Sequence, residues 1–155
     1  LGILNAEWPA RMQNLKRGKL SRIVKDKFDI WLDGGHNFHA AEMISEVINA
    51  WGGKKIYLIL GMMNGKNPSE FLSRLIKKIS AIVLIPISGH VCIHPDKIKK
   101  EITKNLKKKI DIVCRQNISE ALYYISKRYN EGKILICGSL YLAGETLEED
   151  GFTIN

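Results

Sequence analysis

The hexapeptide LDGGHN, Leu32 to Asn37, puts a carboxylate, two glycines, an imidazole and an amide into one short stretch. Asp33 can accept two hydrogen bonds from a diol such as a ribose. Glycines let a backbone approach a ligand closely, and free amides at a helix start favour an anion. A second cluster, GMMNGK, ends on Lys66, a point charge suited to a phosphate or carboxylate. A third is Gly138-Ser139-Leu140-Tyr141. Taken singly, each is also ordinary turn chemistry, because Asp-Gly, Asn-Gly and Gly-Ser are common turn pairs. The chemical reading gains weight only where the fold gathers them.

Several other chemistries are not supported. No G-x-G-x-x-G follows the first apolar run, and no P-loop is present; Asn67 stands where a P-loop has the hydroxyl that binds magnesium. No G-x-S-x-G elbow occurs. His36 and His39 are three apart, and His90 and His94 are four apart with Cys92 between them. Pro95 makes His94 a pre-helix residue, and no acidic ligand precedes Asp96, so no metal site is read there. Cys92, Cys114 and Cys137 form no C-x-x-C pair, which argues against a zinc ribbon or a disulfide framework. Trp8, Trp31 and Trp51 read as core or interface residues.

Positioning these clusters requires a scaffold. Five short runs, FDIWLD, KIYLIL, AIVLIPI, IDIVC and KILIC, are continuously apolar, as strands covered on both faces are. Between them lie helical patterns. Ala40, Ile44, Val47, Ile48 and Trp51 share one face, and Gly52-Gly53 end that helix. Asn67, Pro68 and Glu70 start a second helix carrying Phe71, Leu72, Leu75, Ile76 and Ile79. A third begins at Pro95 with Ile98, Ile102 and Leu106 inward, and a fourth near Ser119 with Leu122, Ile125 and Tyr129 inward. The alternation predicts an α/β fold, a mostly parallel sheet of five to six strands with helices on both faces. WPARMQNL and KLSRIV, around Lys16-Arg17-Gly18, read as a hairpin or a pair of edge segments, and GSLYLAGETLEEDGF as a short helix. In open parallel sheets ligands bind beyond the carboxyl ends of the strands, and all three polar clusters fall there. The third strand end, PISGHVCIHP, offers no obvious carboxylate or lysine.

The 155 residues suit one domain with a sizeable core, and no apolar run is long enough to span a membrane. A reducing, cytoplasmic location is expected. The chain starts at Leu1 and reads as a fragment of something longer. Much of the net charge of +8 comes from Lys97 to Lys109. That run reads as a solvated helix face or, alternatively, as a basic RNA-binding patch; it lacks the interleaved aromatics that stack on bases.

In combination, WPARMQ, WLDGGHN, LGMMNGK and CGSLYLAGE resemble, in order and spacing, the C-terminal domain of folylpolyglutamate synthase and dihydrofolate synthase, relatives of the Mur ligases. The resemblance covers nearly the whole chain. It implies a Rossmann-like three-layer domain, residues 1–155, of a two-domain enzyme whose ATP-binding N-terminal domain is absent here. It implies an ATP-dependent amide ligase that joins L-glutamate to dihydropteroate or folates through an acyl phosphate, with ATP and magnesium as cofactors. The magnesium ligands would lie mainly in the N-terminal domain, and the isolated domain would be inactive. By the same resemblance Arg11 and Asp33 are expected at ATP, His36 between nucleotide and glutamate as a catalytic residue, and Lys66, Ser139 and Tyr141 at glutamate. The expected partners are these small molecules, with no nucleic acid or membrane. Two departures are Ala10 for a glycine and Gly35 for an alanine; a larger one is Gly65 and Asn67 where the family lysine is flanked by aspartates. A Mur-type cell-wall ligase and a non-catalytic RNA-binding module are the alternatives.

Overall fold

A computed structural model describes residues 11–151. Trp8, and with it the start of WPARMQ, lies outside the described residues. In chain order the elements are β1 (Gln13–Asn14), α1 (Lys19–Val24), β2 (Phe28–Leu32), α2 (Phe38–Ala50), β3 (Ile56–Leu60), α3 (Pro68–Leu72), β4 (Ala81–Leu84), α4 (Pro95–Asn105), β5 (Asp111–Cys114), α5 (Ile118–Arg128), β6 (Gly132–Cys137) and α6 (Leu140–Asp150). The five apolar runs become β2 to β6.

The strands form one sheet in the order β1-β2-β6-β3-β4-β5, parallel except for β1, which runs antiparallel to β2. Residues of one strand alternate between two cores, as the pleat requires. Tyr57 and Ile59 of β3 face a core built with α1, α5 and α6. Ile56, Leu58 and Leu60 of the same strand face a second core built with α2, α3 and α4. The result is a three-layer α/β/α domain.

The helix layers decide where a crevice can open. Chain leaving β2, β3 and β4 passes to the α2–α3–α4 layer, whereas chain leaving β5 and β6 passes to the opposite layer. Since β6 lies between β2 and β3, its outgoing loop diverges from both neighbours. This is the topological switch at which open α/β sheets bind ligands.

Helix starts at this edge are closed by side chains. Asn37, Asn67 and Asn117 accept from Ala40, Glu70 and Glu120 amides, at 2.8, 3.1 and 2.9 Å, at the heads of α2, α3 and α5. His94 Nδ1 accepts from the Asp96 amide at 3.1 Å before α4, and Ser139 Oγ accepts from the Tyr141 and Leu142 amides at 3.0 and 3.4 Å before α6. Each such cap satisfies amides that have no intrahelical partner.

Three expectations are corrected. KLSRIV is helix α1, not an edge strand: Leu20 and Val24, one turn apart, are buried among residues of α5 and α6. Of these stretches Gln13–Asn14 pairs as a strand, at the β1 edge of the sheet. The second helix is interrupted after Leu72 and resumes as a short 3-10 turn at Ile76–Lys78, although Phe71, Leu72, Leu75 and Ile79 are buried as expected. The last helix is not short. It runs to Asp150, whose carboxylate accepts from the Leu20 amide at 3.0 Å and so caps α1 across the fold.

Gly138 carries the closest approach at the switch. Its φ is +114°, and a Cβ there would lie 2.3 Å from the carbonyl oxygen of Gly61. Gly138→Ala is therefore expected to lower unfolding free energy by about 2 kcal/mol or more, through strain and backbone clash together. Asp150→Ala, which removes only a cap, is expected to cost about 1 kcal/mol. Urea unfolding with unchanged m values checks both.

Candidate functional site

LDGGHN lies beyond the carboxyl end of β2, and most of its polar capacity is spent on holding the loop. Asp33 Oδ1 accepts from the Gly35 amide at 2.7 Å, and Oδ2 accepts from the Met12 amide at 3.0 Å. The second bond continues the β1–β2 ladder past Gln13↔Leu32 with a side chain in place of a backbone carbonyl. It also holds Met12 at a φ of +43°, a left-handed conformation uncommon outside glycine. The corner at Met12 brings Arg11 to the site. Gly35 O accepts from the Gly138 amide at 2.9 Å and ties this loop to the one after β6. A Cβ on Gly34 would sit 2.5 Å from Leu140 Cδ2, so the glycine admits that side chain. Asn37 is consumed as the α2 cap.

His36 is the exception. Its Nδ1 is buried and has no hydrogen-bond partner among the described residues. A buried polar atom left unpaired costs free energy, which a ligand group could recover. Arg11, Asp33 and His36 line one open cavity of about 500 Å³ with Met12, Met43 and Leu140. The cavity thus combines a cation, a carboxylate with acceptor capacity left over and an imidazole nitrogen, against apolar walls. Burial raises the Asp33 pKa; the amides of Gly35 and Met12 and the Arg11 charge oppose it without cancelling it.

The other three expected site residues stand apart from this cavity. Lys66 is exposed at the turn after β3, and its amide donates to Met63 O at 3.3 Å. Ser139 is buried with its hydroxyl oxygen accepting from two helix amides. Tyr141, in the first turn of α6, is 55% exposed. It stacks on His90 with ring centroids 4.0 Å apart. The loop after β4, which showed no useful carboxylate or lysine in sequence, therefore does reach the same edge. His90 could have been singled out only by knowing that its loop folds back on α6. Among the described residues no group of three His, Cys, Asp or Glu side chains is placed to hold a metal ion. The lysines of α4 lie on its exposed side while Ile98 and Ile102 are buried, the arrangement of a solvated face.

A model of the family described as the dihydrofolate synthetase C-terminal domain matches residues 16–149. The chain belongs to this family. Dihydrofolate synthetase of Saccharomyces cerevisiae is 27% identical over 155 residues, which cover 94% of this chain and 36% of that protein. The probable dihydrofolate synthetase of Schizosaccharomyces pombe is 27% identical over 153 residues, covering 93% and 34%. Among solved structures, Mycobacterium tuberculosis folylpolyglutamate synthase complexed with ADP and AMPPCP superposes with a TM-score of 0.78 at 12% identity, over 96% of this chain and 34% of that one. E. coli FolC in complex with DHPP and ADP gives 0.73 at 19% identity, over 95% and 32%. These two likenesses speak for the fold. The chain spans about a third of the length of the relatives it matches.

The sign of the Asp33 shift gives a test. With its folded pKa above the ordinary 3.8, the folded chain binds the proton more tightly than the unfolded one. This residue's contribution to stability is then most favourable below the unfolded value and declines as pH rises through the folded value. Carbon-13 NMR of the Asp33 carboxyl is expected to give a midpoint above 3.8. In Asp33→Asn one of the Gly35 and Met12 amides faces an NH₂ group instead of an acceptor. Stability near neutral pH is expected to fall by about 1–3 kcal/mol, read from urea unfolding.

Proposed function

We propose that this domain serves an ATP-dependent ligase that joins L-glutamate to dihydropteroate or a folate. The observation that carries the reading is the convergence of Arg11, Asp33 and His36, from two separate stretches of sequence, on one cavity beside the switch point, in a chain of the dihydrofolate synthetase family. In the proposed reaction a carboxylate oxygen of the pteroate or folate attacks the γ-phosphorus of ATP, and ADP leaves. The glutamate amine then attacks the acyl carbon of the mixed anhydride, loses a proton and expels phosphate.

Within this scheme Arg11 neutralises charge on the transferring phosphoryl group. Asp33 has two roles: it holds the corner that presents Arg11, and its remaining lone pairs accept from the ribose. His36, whose buried Nδ1 has no partner among the described residues, meets the ligand where nucleotide and glutamate adjoin. Ser139 contributes through the backbone of α6, which it caps, and Lys66 and Tyr141 serve the amino-acid side. The solved relatives whose names include ADP, AMPPNP, Mn and L-glutamate support a nucleotide and a divalent ion in the reaction. When bound, that ion, proposed to be magnesium, offsets phosphate charge. Its ligands are proposed to come mainly from a nucleotide-binding part outside this chain, so the 155-residue chain alone is expected to be inactive.

Kinetics of the full-length protein test the assignment. Arg11→Ala is expected to lower kcat by roughly a hundredfold or more, in the range of lost transition-state charge stabilisation. His36→Ala is expected to lower kcat as well, while circular dichroism stays that of the wild type. Near-wild-type turnover for both would remove the site. Glutamate-dependent ATP hydrolysis by the 155-residue chain would overturn the division of labour.

A further inference from the structure

The loop between β4 and α4 is fastened on both sides. Toward β3, Met63 and Cys92 form an antiparallel bridge, the Asn64 amide donates to Val91 O at 3.2 Å, and the Ile93 amide to Met62 O at 2.9 Å. Within the loop the Ile87 amide donates to Cys92 Sγ at 3.3 Å. Toward α6, the backbone of Ser88 faces the Glu145 carboxylate. These bonds define the loop's path without any help from the His90 side chain.

The His90 ring nevertheless lies on the Tyr141 ring, 4.0 Å between centroids and 28° from parallel. Both residues are exposed, so the stack buries little and the fold does not depend on it. What it does fix is a side chain. An exposed tyrosine in the first turn of a helix has more than one staggered χ1 available, and a stacked partner selects one of them at the cost of rotamer entropy paid before any ligand arrives. Leu140, the neighbour of Tyr141, already lines the Arg11–Asp33–His36 cavity. The stack therefore belongs to the same helix start as the cavity wall.

We propose that His90 is a positioning residue for the amino-acid substrate: by stacking on Tyr141 it holds that phenol in place at the edge where glutamate is taken up. The inference rests on the function proposed above. The role belongs to the flat ring of His90 and not to its charge, so another flat ring should serve.

Steady-state kinetics of the full-length protein, varying glutamate and ATP separately, test this with His90→Ala and His90→Phe. His90→Ala is expected to raise KM for glutamate roughly two- to tenfold, the range of an aromatic pair, with KM for ATP and kcat within about twofold. His90→Phe is expected to restore KM for glutamate, and all three proteins should share one thermal unfolding midpoint. An unchanged KM for glutamate in His90→Ala, a parallel rise in both KM values, or failure of His90→Phe to restore it would each overturn the proposal. If the wild type shows no glutamate-dependent ATP hydrolysis, the proposed function falls and this role with it. If the wild type is active and His90→Ala is indistinguishable from it, only this role falls.

Discussion

The insertion of β6 between β2 and β3 is the constraint on which the site depends. Its backbone pairs with both neighbours along most of its length, Phe28↔Gly132 to Leu32↔Ile136 on one side and Ile56↔Lys133 to Leu60↔Cys137 on the other. Because β6 hands the chain to one helix layer and its neighbours hand it to the other, space must open on either side of its carboxyl end. The Gly138 amide closes one side by bonding Gly35 O, while the Gly61 amide closes the other by bonding Cys137 O at 3.4 Å. The three polar clusters are thus tied together by backbone bonds through a single strand end.

Within that frame Asp33 links local structure to chemistry. A single carboxylate binds a neighbouring loop amide and an amide of the incoming edge segment. Its burial favours the neutral form, and the bonds it accepts favour the ionised one. Sequence patterning made the residue look like a ligand; the geometry makes it a ligand holder with capacity to spare. The imidazole beside it has the converse status, with a buried nitrogen and no partner among the described residues.

Much of this was legible beforehand, for particular reasons. Strands such as IYLIL are buried on both faces, so their composition is uniform and their identity plain. Asn67-Pro68 and His94-Pro95 marked helix starts because capping and proline geometry are local. What escaped was non-local. KLSRIV is short enough to satisfy either period, and its helical state depends on packing beside α5 and on a cap from Asp150, 130 residues away. The loop carrying His90 seemed inert because its partner, Tyr141, lies at the start of α6, far along the chain, and meets it only in the folded structure. At Ser139 the buried hydroxyl lies next to the free helix amides of Tyr141 and Leu142 and accepts from both, a structural use the motif did not announce.

The five capped helix starts have a further consequence. Each turn at the carboxyl edge is already locked by a side chain of its own sequence, three of them asparagines. A ligand arriving there has little disorder to remove, so most of its contact energy can be expressed as affinity or passed on to the reacting atoms. The same locking narrows what substitution can do without harm. Changing an asparagine or Ser139 alters the scaffold before it alters recognition. Adaptation to a different acceptor would then fall to the few side chains the turns leave uncommitted: Arg11, His36, Lys66, His90 and Tyr141.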